Sequence, residues 1–341
     1  MTRIDDVARL AGVSTATVSR ALRGLPTVSE ATRQRVLAAA EELRYTVSPS
    51  ASRLAGGKTG TVAVIVPRIT RWFFGTVVEG AEEVLHEAGY DMLLYHLGGR
   101  EQTRQRLLRT ANLRKRVDAV MLVATPMQTA DFGTINEIAL PGVTVSSGTV
   151  VPGWPGVRID DVHAARTATE HLLSLGHRRI AHISGDPSDE LAFTTHLDRR
   201  RGYLDALTAA GITPDPRLDV DAQFTVAGGG RATEELLERG APPTAIFAAC
   251  DEMAMGAIAV LRQAGLSVPG DVSVIGIDDH DLSGVVGLST VAQPAAEQGR
   301  LAATMLLDPL CRNAPPVEVP EPVILPTRLV VRESTGPPRE E

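Results

Sequence analysis

Three carboxylates in this 341-residue chain stand directly behind short apolar runs: Asp160 after Val157-Arg158-Ile159, Asp251 after Phe247-Ala248-Ala249-Cys250, and Asp278 after Ile275-Gly276-Ile277. A side chain just past a parallel strand points into the crevice where open α/β sheets bind ligands. Ionised carboxylates form strong, directional hydrogen bonds with hydroxyl groups, which suits a polyhydroxylated ligand such as a sugar. Phe73 and Phe224 add flat faces on which an apolar sugar face or a ring can stack, whereas Phe74 reads as core. Asp160 and Asp251 have a second reading, as caps of the helices that follow them.

Other clusters carry less. His177-Arg178-Arg179 sits in a turn after Gly176 and is expected to cap a helix carboxyl end. Gly57-Lys58-Thr59 resembles the end of a phosphate loop, but that loop needs a glycine where Ser52 stands. Gly228-Gly229-Gly230 reads as a loop or helix start, with no dinucleotide fingerprint around it. No nucleophile elbow or zinc helix is found, so no catalytic residue, metal or cofactor is expected. Cys250 and Cys311 are the only cysteines, too few for a disulfide framework, and suit a reducing compartment.

The elements that must position these groups divide the chain in two. Residues 1–60 hold nine basic and five acidic side chains, a balance of +4 within a net charge of -7, so the remainder carries -11. A basic head on an acidic body suits a polyanion-binding module. Thr2, with Asp5 three residues on, has the pattern of a capping box opening a helix to about Leu10, and Gly12 breaks it. Ser14 can cap a helix from Thr15 to Leu22, with Val18, Ala21 and Leu22 inward and Thr15, Ala16, Ser19 and Arg20 outward. Ser29 can cap a third, whose Val36, Ala39, Ala40 and Leu43 recur at helical spacing. Together they read as a helix-turn-helix, whose second helix fits the major groove of DNA.

Residues 45–60, rich in serine and glycine with Pro49, read as a linker. From Thr61, strand patterns such as 62–66, 119–123, 180–184 and 272–277 alternate with helical ones such as 74–88, 164–175, 203–210, 232–238 and 254–264. Such alternation builds parallel sheets covered on both faces, and about 270 residues of it fill two lobes. No apolar run reaches the roughly 18 residues that span a bilayer, and the acidic start Ile4-Asp5-Asp6 is unlike a signal peptide. A cytoplasmic, nucleoid-associated protein is therefore expected, with no membrane partner and not an exported transport binding protein.

The run from Ile4 to Leu22, with Asp6-Val7-Ala8, Ala11-Gly12-Val13-Ser14 and Thr17-Val18-Ser19-Arg20 in one register, closely resembles the headpiece of the lactose-repressor (LacI/GalR) family of bacterial transcriptional regulators. The resemblance continues in Trp72-Phe73-Phe74, Leu175-Gly176-His177-Arg178-Arg179-Ile180-Ala181 and Val274-Ile275-Gly276-Ile277-Asp278-Asp279. It implies a three-helix headpiece over 1–47, a hinge over 48–60 and a periplasmic-binding-protein-like α/β body over 61–341. The body's lobes would be 61–159 with 291–325, and 160–290 with 326–341. By the same resemblance Thr15, Ala16 and Arg20 face base edges, Ser14, Thr17 and Ser19 assist at phosphates, and Leu54 wedges into the minor groove. Arg199, three residues before Gly202-Tyr203, matches the family's effector-contacting arginine.

The implied function is a repressor whose affinity for near-palindromic operator DNA is controlled by a small molecule, a carbohydrate, held between the lobes. Two half-sites call for a homodimer, and the tail Ser334–Glu341 has no leucine heptads to build anything larger. Two departures leave the effector's identity open. Ser146-Ser147 stand where many relatives carry an acidic-basic pair, and Cys250 replaces an often polar residue.

Overall fold

A computed structural model describes residues 3–22, 24–45, 58–108, 113, 116–125, 127, 131, 140–186, 194–239, 242–312 and 321–339. The head contains α1 (Ile4–Ala11), α2 (Thr15–Leu22) and α3 (Glu30–Glu42). The cap of α1 lies one residue later than its sequence pattern suggests. Arg3 is the N-cap and its backbone N–H donates to the Asp6 carboxylate at 3.0 Å, a register that the Asp5-Asp6 doublet leaves ambiguous. Gly12, at φ 66°, ends the helix in the left-handed conformation that glycine adopts without strain. Ser14 and Ser29 cap the next two helices, accepting from the N–H groups of Thr17 at 3.2 Å and Thr32 at 3.4 Å. Val7, Val18 and Val36, one from each helix, are fully buried and meet in the shared core. Leu54 and most of the expected hinge lie outside the described residues.

The body is a separate compact unit made of residues 61–114 and 118–341. Its first sheet joins β1 (Thr61–Val66), β2 (Asp91–His96), β3 (Ala119–Val123), β4 (Gly142–Val145), β5 (Gly156–Ile159) and β11 (Val323–Leu325) in the order β11-β5-β4-β3-β1-β2, all parallel. The second joins β6 (Ile180–Ser184), β7 (Asp219–Asp221), β8 (Ala245–Ala248), β9 (Ser273–Asp278), β10 (Ser289–Ala292) and β12 (Arg328–Val330) in the order β12-β10-β9-β8-β6-β7. Only the β10–β12 pairing is antiparallel. Continuous apolar strands such as β3 are buried along their whole length because helices cover both faces.

In the first lobe α4 (Trp72–Glu87) packs against the late helix α11 (Ala295–Arg312), with α5 (Glu101–Leu108) beyond β2. The second lobe holds α6 (Asp161–Ser174), α7 (Thr195–Ala209), α8 (Val226–Glu238), α9 (Asp251–Gln263) and the short α10 (Ser283–Val286). The chain crosses between lobes after β5, between β10 and α11, and between β11 and β12. The second crossing comes later than residue 291, because Val291 and Ala292 still pair with Ile277 and Asp278 of β9.

Two sequence readings are refined here. Gly228-Gly229-Gly230 stands at the start of α8, the second of its two readings, and a Cβ on Gly229 would stand 2.1 Å from the Met253 carbonyl oxygen. Gly256 is matched to it across the pair, a Cβ there falling 1.9 Å from the Val226 carbonyl oxygen, so these glycines let α8 and α9 touch backbone to backbone. His177 does cap the carboxyl end of α6, its backbone N–H donating to the Leu172 carbonyl oxygen at 3.2 Å, while its ring has a second role. It is buried, with Nδ1 3.0 Å from Thr244 Oγ1 and Nε2 2.9 Å from the Gly336 carbonyl oxygen, and it ties the tail to the second lobe.

Candidate functional site

Between the lobes lies a cavity of about 930 Å³, counting its open mouth. Its walls come from the carboxyl ends of strands: Arg68 follows β1, Ala124 follows β3, Ser146 follows β4, Cys250 follows β8, and Asp278 closes β9. Six non-glycine residues among those described have positive φ, and four of them line this cavity: Ala124 at 40°, Ser146 at 48°, Phe224 at 48° and Asp278 at 138°. Each such conformation costs roughly 1–3 kcal/mol and persists where the surroundings hold it. Strain concentrated at one cavity marks a site.

Arg199 is the centre of charge. It reaches the cavity from the first turns of α7 and is only 4% exposed. Its Nε donates to Asp161 Oδ1 at 2.8 Å, its Nη1 donates to the Ala249 carbonyl oxygen, and the same nitrogen lies 3.9 Å from Asp278 Oδ1. Burial pushes the Asp161 carboxyl up, against the pull of Arg199. Burial likewise raises Asp278, to about 7, with Arg199 opposing the rise and Asp251 adding to it. Cys250 also faces the cavity, but burial drives its thiol well above its usual range, so it is a neutral packing group and not a nucleophile.

Of the expected ligand residues, Phe73, Arg199, Phe224 and Asp278 line the cavity. Phe74 lines it too while belonging to the first lobe's core. Asp160 and Asp251 do not line it. Asp160 is exposed and caps α6, accepting from His163 N–H at 2.9 Å, while the next residue, Asp161, turns inward to Arg199. Asp251 is fully buried and accepts from His280 N–H at 2.9 Å and from the Ser283 and Thr290 hydroxyls at 2.7 Å each, fastening the segment after β9 to β10. Sequence reasoning missed Asp161, Gln293 and Arg71. The rule that found Asp278, a polar residue just past a strand, also fits Gln293 after β10.

In the head, α2 buries Val18 and Ala21 and leaves Thr15, Ala16 and Arg20 exposed. The Ser14 and Thr17 hydroxyls lie 2.9 Å apart, pairing with each other at the amino end of the helix.

Residues 3–48 match the model of the bacterial regulatory proteins of the lacI family, and residues 169–335 match a periplasmic binding protein-like domain. The HTH-type transcriptional regulator GalR of Escherichia coli (strain K12) is 36% identical, over 100% of this chain and 98% of that protein. The chain belongs to the lacI family of bacterial regulatory proteins. Its function class is accordingly DNA-binding transcription regulation. Among solved structures, a complex of the transcriptional regulator CelR with cellobiose is 34% identical, covers 98% of this chain and 100% of that one, and gives a TM-score of 0.72. A lac repressor dimer bound to operator and an anti-inducer is 27% identical, covers 98% and 99% respectively, and gives a TM-score of 0.83. No helix among the described residues is long and apolar enough to cross a membrane.

Proposed function

We propose that this lacI-family chain is a repressor that binds near-palindromic operator DNA as a homodimer and is switched by a sugar held between its lobes. The observation that carries the reading is Arg199 set between Asp161 and Asp278 in a cavity that also presents the rings of Phe73 and Phe224. Acceptors, a fixed donor fork and flat apolar faces together are what a sugar ring requires. Cellobiose in a relative with this fold supports the carbohydrate class. Thr15, Ala16 and Arg20 take the base edges, with Ser14, Thr17 and Ser19 at the phosphates and Leu54 as the hinge wedge. Leu282 and Val285, exposed by 51% and 81% on one face of the second lobe, supply apolar surface for the dimer.

The test is a panel of sugars and metabolites screened by thermal shift on the full chain, with operators recovered from genomic fragments retained by the protein. A sugar that stabilises the chain and alters operator affinity supports the reading. Hits confined to non-carbohydrates would overturn the sugar assignment, and hits without any change in operator affinity would overturn the switch.

A further inference from the structure

Four side chains form a run of hydrogen bonds that starts in one lobe and ends in the other. Ser146 Oγ, just past β4, donates to Gln298 Oε1 at 2.7 Å. Gln298 Nε2, from α11, donates to Gln293 Oε1 at 3.0 Å, and Gln293 Nε2 donates to Asp278 Oδ1 at 2.6 Å. Gln298, Gln293 and Asp278 are buried, so solvent competes little along the run.

Every donor points the same way, and the carboxylate is the reason. An ionised carboxylate only accepts, so it turns the NH₂ of Gln293 toward itself and leaves that residue's carbonyl for Gln298. Gln298 is ordered in the same sense, and its carbonyl takes the Ser146 proton. Ser146 lines the cavity, held there by a left-handed backbone. With its proton committed to Gln298, its oxygen meets the cavity as an acceptor.

We propose that this relay sets the hydrogen-bonding polarity of Ser146 from the opposite lobe, making it an acceptor toward the cavity while Asp278 is ionised and a donor once Asp278 is protonated. The neutral carboxyl supplies an O–H to Gln293 Oε1, both amides turn over, and Gln298 NH₂ then donates to Ser146 Oγ. The Ser146 hydroxyl keeps its proton and, no longer bonded to Gln298, turns that O–H toward the cavity. A ligand hydroxyl can answer either polarity, whereas an ammonium fits only the first and a carboxylate only the second. The groups facing Asp278 are Arg199 from α7, which favours the ionised form, and Asp251 and Glu252 from α9, which favour the neutral one, with Cys250 beside them. The inference rests on the effector reading only for what fills the cavity; the relay itself is a property of the protein alone.

The experiment is glutamine-selective ¹⁵N labelling of the full chain, which has eight glutamines, with the Gln293 and Gln298 side-chain signals assigned from Gln293→Leu and Gln298→Met variants. Across a titration from about pH 5 to about pH 9, either side of the Asp278 carboxyl, which burial raises to about 7, both side-chain amides are expected to move with one midpoint, and Asp278→Asn is expected to abolish the movement of both. Ser146→Ala, at the far end and facing the cavity, should displace the Gln298 signal and leave that of Gln105 unmoved, which keeps the test usable if Asp278→Asn fails to fold. A Gln293 signal that titrates while Gln298 stays fixed would overturn the relay, as would two signals that never move. No sugar enters these measurements, so failure of the sugar screen and failure of the relay are separate results.

Discussion

Arg20 stands exposed near the end of α2, on the side of the helix away from Val18 and Ala21. A guanidinium there can take both acceptors of a guanine edge, so Arg20→Ala should weaken operator binding by about 1–3 kcal/mol and relax preference at one half-site position. Competition binding against a set of single-base operator variants checks this, and an equal loss on every sequence would make Arg20 a phosphate contact. Asp278 illustrates the opposite situation, a charge taken out of water. Its carboxyl, raised by burial to about 7, lies above the roughly 3.9 of an unfolded chain, so the folded state binds the extra proton. The stability this gives is complete below about pH 4 and is lost as pH rises through about 7. Between pH 5 and 7 the parent should therefore lose up to about 1.4 kcal/mol per pH unit relative to Asp278→Asn, measured by urea unfolding of each at several pH values. Equal pH slopes would show that burial does not perturb this group. Asp278 was legible in the sequence because it closes a strand, but the choice between Asp160 and Asp161 was not. One residue decides whether a carboxylate caps α6 from outside or turns inward to Arg199, and only the packed lobe fixes that rotation.

The helices show where local chemistry suffices and where it does not. The starts of α2 and α3 follow from Ser14 and Ser29, because a cap hydroxyl and the N–H groups it serves lie within one turn. The first two turns of α7 left no apolar signal, since Thr195 to Arg201 is almost wholly polar while the helix buries His196 and Arg199. Those turns are specified by the cavity they line and not by amphipathicity. The glycines of α8 and α9 also needed the partner helix to be understood. Gly256→Ala should cost about 1–3 kcal/mol or more, because the new methyl meets the Val226 carbonyl and the backbones must separate. Gly284→Ala, with nothing within 4 Å of the added atom, is the control and should unfold at nearly the parent's denaturant midpoint. Matching midpoints for both variants would refute the close approach of α8 and α9.

The whole molecule has two parts with separate cores, Val7, Val18 and Val36 in the head and two helix-covered sheets in the body. Removal of residues 1–60 should leave a folded dimer that still binds its sugar and has lost all affinity for DNA, as sedimentation and calorimetry would report. A monomeric or insoluble fragment would refute that division. Within the body, lobe-to-lobe contacts such as the Trp72 and His280 rings, 5.3 Å apart, and the relay from Ser146 to Asp278 give the lobes a defined relation that a ligand can bias. A ligand shifts DNA affinity only by binding the two arrangements unequally. The most direct measurement is operator affinity with and without the sugar found by screening, in the parent and in Asp278→Ala. The sugar should change the parent's affinity by about 5–150-fold, equivalent to coupling of roughly 1–3 kcal/mol, and Asp278→Ala should bind operator normally while losing that response. Full sugar affinity and a full response in Asp278→Ala would contradict the assignment of the cleft as the switch.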